Sequence, residues 1–220
     1  MPKIRQHVNP LKSDLLTIRD VPRIEAPLGG YLEVELGSAE SLFLIERAQA
    51  TAEPGVALVG VEIRREMVQR ADRLCQEAGV SSVRNVFANM SVDMPRLFRP
   101  ASVRRFHINF PDPWFKSRQH KRRVVGPELV DAMATALEAG GEVGVMTDIF
   151  DIALEAMAVL EGDPLHRFRN TRGPWTFLTS SPWAPAKSRR ERQCEGDGVR
   201  VWRLLYQMTA EPRLAGDGEL

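Results

Sequence analysis

Short apolar runs alternate with longer segments of helical spacing along most of this chain. The sequence YLEVEL at residues 31–36 alternates apolar and polar side chains, as a half-buried strand does. Further strands are predicted at residues 57–61, 83–88, 103–110 and 142–147, and helices at residues 42–48, 64–78, 127–137 and 149–160. Strand–helix alternation at this period predicts an α/β, doubly wound fold with a mostly parallel sheet and right-handed crossovers.

The two ends of the chain do not follow this alternation. Residues 1–28 are polar and proline-spaced and are interpreted as an N-terminal extension, followed by a single domain at 29–210 and a polar tail at 211–220. Within the domain, residues 173–198 show no clear periodicity and are expected to form a loop. An alternating strand is predicted to follow at 199–208.

Composition narrows the classes of partner and cofactor. With 30 Lys and Arg against 29 Asp and Glu, the net charge is +1, so any contact with nucleic acid must come from local basic patches. Two cysteines and four scattered histidines favour neither a disulfide framework nor a metal site. The chain contains no apolar run of membrane-spanning length and no signal-peptide core, so we expect a protein of the reducing cytoplasm, without membrane contact.

The turn after the first predicted strand is the natural nucleotide-binding loop of such a sheet. It has the sequence ELGSAES from Glu35 to Ser41, with Gly37 as its one glycine. Glu62 ends the second strand, where an acid can accept hydrogen bonds from both ribose hydroxyls of an adenosine. Asn89 follows the third strand and could meet an adenine edge.

The missing glycine fingerprint and the negative charge of Glu40 argue against a dinucleotide at this loop. S-adenosylmethionine has no phosphate and carries a sulfonium and an ammonium, so it tolerates acids nearby. A plainer interpretation also stays open, because single glycines after strands are common and acids at helix N-termini complement the helix dipole.

The segment HINFPDPWFKSRQHKRRV at residues 107–124 is the most informative part of the chain. Its prolines fix φ and end the strand in a rigid turn that carries Asp112 and Trp114. A basic run follows at once, from Lys116 to Arg123. Each piece alone has a structural interpretation, as a turn, a packed ring or a solvated face. Together they predict a site that grips one nucleotide of a nucleic acid.

Residues 109–114, NFPDPW, with Lys116 and the basic HKRR sequence at 120–123, resemble the signature of the bacterial tRNA (guanine-N7)-methyltransferases. The resemblance extends in element order from about residue 31 to residue 205. It implies a Rossmann-like, S-adenosylmethionine-dependent fold. It also implies methyl transfer to N7 of a guanosine in the tRNA variable loop, at position 46 of the tRNA.

The same resemblance assigns roles to individual residues. Asp112 matches the catalytic aspartate. The cofactor-binding positions are Glu35, Gly37, Glu62 and Asn89. The substrate-binding positions are Lys116, Asp148, and Ser188, Arg189 and Glu191 of a C-terminal T-K-x-E-like motif. The basic residues Arg118, Lys121, Arg122 and Arg123 are expected to contact tRNA phosphates, and the N-terminal extension is a further candidate for RNA contact.

Two positions depart from the family pattern, whose first loop is usually close to E-I-G-x-G-x-G. Ala39 and Ser41 stand where the family has glycines. A methyl at Ala39 is expected to crowd the cofactor or to resist a positive φ. The alternative function is therefore a tRNA-binding methyltransferase-like protein with weakened or lost cofactor binding. A small-molecule methyltransferase or a dehydrogenase is a further alternative, which the basic runs disfavour.

Further expectations concern the chemistry and the assembly. Guanine N7 carries a lone pair and no proton, so positioning should be the enzyme's main contribution. Asp112 would stabilise the positive charge that moves onto the purine, and it could accept from the guanine N1–H and amine. Trp114 would either stack on the base or brace the turn. The expected partner is tRNA, and the expected state is a monomer or a homodimer.

Overall fold

The computed structural model describes residues 8–51 and 55–209, with the side chains of Ser117, His120 and Lys121 left out. Within these ranges, seven strands form one sheet in the order β3-β2-β1-β4-β5-β7-β6. The strands are β1 (Tyr31–Leu36), β2 (Val56–Glu62), β3 (Val83–Phe87), β4 (Val103–Asn109), β5 (Leu137–Thr147), β6 (Phe168–Asn170) and β7 (Trp202–Met208). Strands β1 to β5 pair in parallel, and β7 runs antiparallel to both of its neighbours. The doubly wound, mostly parallel fold is confirmed.

Helices connect these strands. They are α1 (Ser13–Leu16), α2 (Leu42–Ala50), α3 (Arg65–Glu77), α4 (Met90–Leu97), α5 (Pro127–Ala136), α6 (Phe150–Glu161) and α7 (Arg189–Gly196), and a 3₁₀ turn covers Ser117–Arg122. Helix α5 contacts both α4 and α6, whereas α2 contacts α3. Because the parallel strands are covered on both faces, the charged side chains that are buried on them are informative.

Three helices and one strand were not expected from the hydrophobic pattern. Helix α1 is a single turn inside the predicted N-terminal extension. Helix α7 lies inside the segment predicted as a loop, and its buried residues are Glu191 and Cys194, so it shows no apolar periodicity. Helix α4 contains Pro95, which normally argues against a helix interior. Strand β6 is three residues long. In each case the usual signal is weak, and tertiary contacts decide the structure.

Strand β5 is longer than predicted. It begins at Leu137, directly after α5, and its pairing with β4 shifts register between Val103 and Arg105. Gly140 lies in this irregular part with φ of 75°. Gly140 and Gly141 therefore form an irregularity inside β5, and glycine accommodates it because it has no Cβ to clash.

The N-terminal segment packs against α4. The Ile24 N–H donates to the Leu97 carbonyl at 2.8 Å, and Arg23 donates to the Phe98 carbonyl at 2.8 Å. Arg96 reaches back to the carbonyl of Ile18. These bonds tie residues 18–24 to the domain.

Strand β1 presents two different faces. Leu32, Val34 and Leu36 belong to the main apolar core, whereas Glu33 and Glu35 lie on the opposite face and are also buried. Glu33 is fully enclosed and accepts from Arg47, with both N···O distances 3.0 Å, and from Arg105 at 2.6 Å. Burial raises the pKa of Glu33, but hydrogen bonds with His107 and Arg47 outweigh it and hold the pKa well below its usual value.

We expect Glu33→Gln to lower the free energy of unfolding by roughly 2–4 kcal/mol, because it leaves the partly buried Arg47 without its counter-charge and Arg105 with Glu142 alone. Chemical denaturation measures this loss. Glu138→Gln is the control, since Glu138 pairs with the more exposed Arg104 at 2.7 Å and should cost under about 1 kcal/mol. Equal losses in the two variants would contradict the role of the Glu33 cluster.

Candidate active site

The carboxyl ends of β1, β2 and β4 surround a cleft of about 420 Å³. Sheets of this topology bind ligands at this edge. The cleft brings together residues that are far apart in sequence. Those predicted as site residues that line it are Glu35, Gly37, Glu62, Asn89, Asp112, Arg122, Ser188 and Arg189. The loop after β1, the turn after β4 and the start of α7 thus share one site.

Glu35 is buried at the base of this cleft. Its Oε1 accepts from the Asn109 side chain at 2.8 Å, and Oε2 has no hydrogen-bond partner among the residues that the structure describes. Burial raises the pKa of Glu35 to about 8, against the Asn109 hydrogen bond, and the nearby charge of Glu62 adds to the shift. The carboxyl is therefore mostly protonated at neutral pH and would ionise beside a cation.

Glu35→Gln should stabilise the ligand-free protein more at about pH 8.5 than at about pH 5. The wild-type carboxyl keeps its proton up to about pH 8 when folded but loses it near its ordinary pKa of 4.5 when unfolded. Wild-type stability contributed by this group therefore falls as pH rises between those values, whereas glutamine has no proton to lose. Thermal unfolding at both pH values measures the difference, with Glu66→Gln on the exposed side of α3 as control. A constant difference would contradict the raised pKa.

The loop after β1 keeps a left-handed, glycine-like backbone at two positions that are not glycine. Ala39 has φ of 49° and Ser41 has φ of 54°, both in the left-handed region. The Ser41 N–H donates to the Ser38 carbonyl at 2.7 Å, and its hydroxyl donates to Asn85 at 2.6 Å. The methyl of Ala39 therefore does not forbid a positive φ, because the loop's hydrogen bonds hold the conformation despite its cost.

We expect Ala39→Gly to raise the free energy of unfolding by up to about 1 kcal/mol. Relief of left-handed strain, about 1–2 kcal/mol, exceeds the entropy that glycine adds to the unfolded chain. Ala153→Gly, inside α6, is the control and should lose about 1 kcal/mol or more. Urea denaturation compares the two variants, and a loss in both would refute the strain.

Glu62 is the most heavily bonded carboxylate of the cleft. Oε1 accepts from the Arg64 backbone N–H at 2.8 Å and from Arg64 Nε at 2.9 Å. Oε2 accepts from the Ala39 N–H at 3.0 Å and from Arg64 Nη2 at 2.9 Å. The hydrogen bond with Glu62 raises the pKa of Arg64, and the charges of Asp112 and Glu40 add to it.

Asn89 lines the cleft with its amide already engaged. Its Oδ1 accepts from the Ser91 N–H and caps α4, and its Nδ2 donates to the carbonyls of Pro10 and Leu15. Pro10 itself lines the cleft. In this arrangement Asn89 fixes the N-terminal segment at the wall of the cleft, and both ends of its amide are engaged with backbone groups.

The turn after β4 is held rigidly. Phe110 and Trp114 both have positive φ, of 52° and 41°, and the Phe110 N–H donates to the Met146 carbonyl at 2.7 Å. Arg122 lies over the Trp114 ring at 5.0 Å. Asp112 and Trp114 both line the cleft. The ring thus packs within the turn on one face, which fits the bracing interpretation.

The basic residues separate into two groups. Lys116 and Arg118 are exposed, and Arg122 lines the cleft, whereas the Lys121 side chain lies outside what the structure describes. Arg123 is partly buried, donates to the Pro113 carbonyl at 2.8 Å and pairs with Glu155. The Arg123 guanidinium therefore fastens the turn to α6, and its contact with phosphate stays a prediction.

The C-terminal motif begins α7. The Ser188 hydroxyl accepts from the Glu191 N–H at 3.2 Å, and Arg189 pairs with Glu40 at 2.5 Å. Arg190, which also lines the cleft, pairs with Asp148 at 2.5 Å. Glu191 is fully buried and accepts from Arg203 at 2.8 Å, so in this conformation it orients α7 from inside the protein.

Comparison with known proteins identifies the family of this chain. A family model described as "Putative methyltransferase" matches residues 30–204. A tRNA (guanine-N(7)-)-methyltransferase of Synechococcus elongatus is 36% identical over 210 residues, which cover 93% of this chain and 95% of that protein. This chain belongs to the tRNA (guanine-N7)-methyltransferase family.

Solved structures of other methyltransferases share the fold of this family member. The alignment with the 16S rRNA methyltransferase KamB covers 82% of this chain and 88% of the KamB chain, with a TM-score of 0.59 and 13% identity. A SAM-dependent methyltransferase from Aquifex aeolicus aligns over 82% of this chain and 83% of its own, with a TM-score of 0.56 and 10% identity. At such identities the likeness concerns the fold.

The described residues contain neither a membrane-spanning helix nor a cluster of metal ligands. Across 8–51 and 55–209, no helix combines the length and apolar character needed to cross a membrane. In the same ranges, no group of three or more His, Cys, Asp or Glu side chains could hold a metal ion.

Arg64 is a cleft residue that the sequence interpretation missed. Arg64 follows Glu62 by two positions, and an arginine so close to a predicted ligand carboxylate is a detectable signal.

Proposed function

We propose that this protein transfers a methyl group from S-adenosylmethionine to N7 of a guanosine in tRNA, at position 46 of the variable loop. The observation that carries the proposal is that Glu35, Glu62 and Asp112 line one cleft. The first two come from the strand ends where this fold binds its cofactor, and Asp112 comes from the family's signature turn. The similarity to curated tRNA (guanine-N7)-methyltransferases over nearly the whole chain supports the same reaction.

The cleft fits S-adenosylmethionine chemically. Glu35 Oε2 is buried without a partner in the described part of the chain, and a cationic group beside it would supply the missing counter-charge. The side chains of Met67 and Met90 add apolar walls. Glu35 and Glu62 would hold the cofactor, and Gly37 allows the loop to pass close to it with φ of 81°.

When bound, S-adenosylmethionine supplies a methyl group that its sulfonium activates. Guanine N7 needs no general base, because it attacks with a lone pair and has no proton to lose. The protein's contribution is to hold the purine in line, which Asp112 does from a turn that Arg123 fastens. The Asp112 carboxylate also stabilises the positive charge that develops on the purine.

The tRNA contacts divide according to exposure. Lys116 and Arg118 are exposed on the signature turn, and they contact phosphates together with Lys121 and Arg122, as Arg189 does from the start of α7. Asp148 and Glu191 act through their arginine partners, Arg190 and Arg203, and position α7 beside the cleft. Ser188 serves the substrate side by capping the same helix.

Methyl transfer to unmodified tRNA tests the proposal. Purified protein is incubated with labelled S-adenosylmethionine and a tRNA transcript, and the modified nucleoside is mapped. We expect label in N7-methylguanosine of the variable loop, which a transcript with adenosine at position 46 should lose. Label at another base, or binding of the cofactor without transfer, would contradict the proposal.

Asp112→Asn should reduce kcat by about 10²–10³ and leave the tRNA Kd within about threefold. The reason is that the charge on Asp112 acts on the reacting purine, whereas phosphate contacts carry most of the tRNA affinity. Single-turnover kinetics and filter binding measure the two effects. Asp151→Asn, on the exposed side of α6, is the control. A loss confined to tRNA binding would count against the assignment.

The alternative function, tRNA binding without cofactor, arose from the altered loop after β1. That loop keeps the left-handed conformation at Ala39 and Ser41 and still frames the cleft. This observation favours the enzyme. We also propose a cytoplasmic protein that acts as a monomer or a homodimer.

A further inference from the structure

The Glu62 carboxylate has its hydrogen-bonding capacity filled in this structure. A carboxylate offers about four lone-pair positions, two at each oxygen. The Arg64 side chain takes one at each oxygen, and the backbone N–H groups of Arg64 and Ala39 take the other two. Glu62 is also only 3% exposed, so its oxygens are accessible through the cleft alone.

This filled carboxylate conflicts with the role proposed for it above. Ribose hydroxyls bind an acid by donating to its oxygens. The two backbone donors belong to fixed parts of β2's end and the loop after β1, so they cannot move away cheaply. The two bonds from the Arg64 side chain can be given up by rotation of a flexible, long side chain.

Two further carboxylates influence the Arg64 guanidinium within the same cleft. The charges of Asp112 and Glu40 act on it and raise its pKa. Arg64, Asp112 and Glu40 all line the cleft, and the Arg64 side chain is only 18% exposed. Glu40 also pairs with Arg70 and Arg189. An arginine that leaves Glu62 therefore stays near other carboxylates without first moving into bulk water.

We propose that Arg64 is a positioning residue that occupies the ribose-binding face of Glu62 until the cofactor arrives and then pairs with the acids across the cleft. The inference rests on the proposed function, because it assumes that Glu62 binds the ribose. Binding must break two charge-assisted hydrogen bonds at Glu62, so Arg64 lowers cofactor affinity. In return, its charge compensates the clustered carboxylates of the empty cleft.

Calorimetric titration with S-adenosylhomocysteine tests this exchange. This probe keeps the ribose but lacks the sulfonium charge, so a change in affinity does not simply reflect the removal of a nearby cation. We expect Arg64→Ala to bind it about fivefold or more tightly than wild type, which corresponds to about 1 kcal/mol no longer spent on displacement. Arg65→Ala is the matched control, since Arg65 is exposed over the Phe87 ring and should change affinity by less than about twofold.

Paired nucleosides locate the effect at the ribose. Adenosine should gain affinity in Arg64→Ala, whereas 2′,3′-dideoxyadenosine, which has no hydroxyl to compete for Glu62, should not. Arg64→Lys provides a second variant in case Arg64→Ala is too unstable. Its ammonium cannot span both Glu62 oxygens as a guanidinium does, so a smaller gain in affinity for S-adenosylhomocysteine is expected.

The outcomes separate the proposed exchange at Glu62 from the proposed function. Unchanged or weaker binding of S-adenosylhomocysteine by folded Arg64 variants would overturn the exchange, as would equal gains for both nucleosides. Methyl transfer by the wild type would then still support the proposed function. Failure of the wild type to bind S-adenosylhomocysteine at all would overturn both.

Discussion

The structure depends on how the buried carboxylates of strand β1 are balanced. Strand β1 carries Glu33 and Glu35 on the same face, and both are buried. Glu33 is satisfied by two arginines, and its cluster anchors β1 to α2 and β4. Glu35, one repeat further along, reaches the strand end with one oxygen unpaired in the described structure. One carboxylate thus stabilises the fold, and the other is the one that we propose for the cofactor.

Charge complementarity also organises the rest of the cleft. The acids of the cofactor side come from strand ends, and arginines come from later segments: Arg189 meets Glu40, and Arg190 meets Asp148. These pairs fix α7 beside the loop after β1, although α7 has almost no apolar surface of its own. Ion pairs therefore hold α7 against the domain, whereas hydrophobic burial holds α5 and α6.

The strand pattern and the signature turn could be predicted from the sequence because their signals are local. Alternation at residues 31–36 and the prolines around Asp112 each determine nearby backbone directly. Helix α7 and the role of Arg123 could not be predicted, because they depend on partners distant in sequence. The left-handed backbone at Ala39 was missed for a different reason. Local preference opposed it, and the hydrogen bonds around the loop overrode that preference.

The walls of the cleft come from both ends of the described chain. Val8 and Pro10 line one side and Gln193 another, with the strand ends between them. During synthesis, the cleft is therefore complete only after α7 has been translated. A fragment that ends before α7 would lack one wall. A ligand that contacts both walls would stabilise the packing of residues 8–10 and α7 against the strand ends.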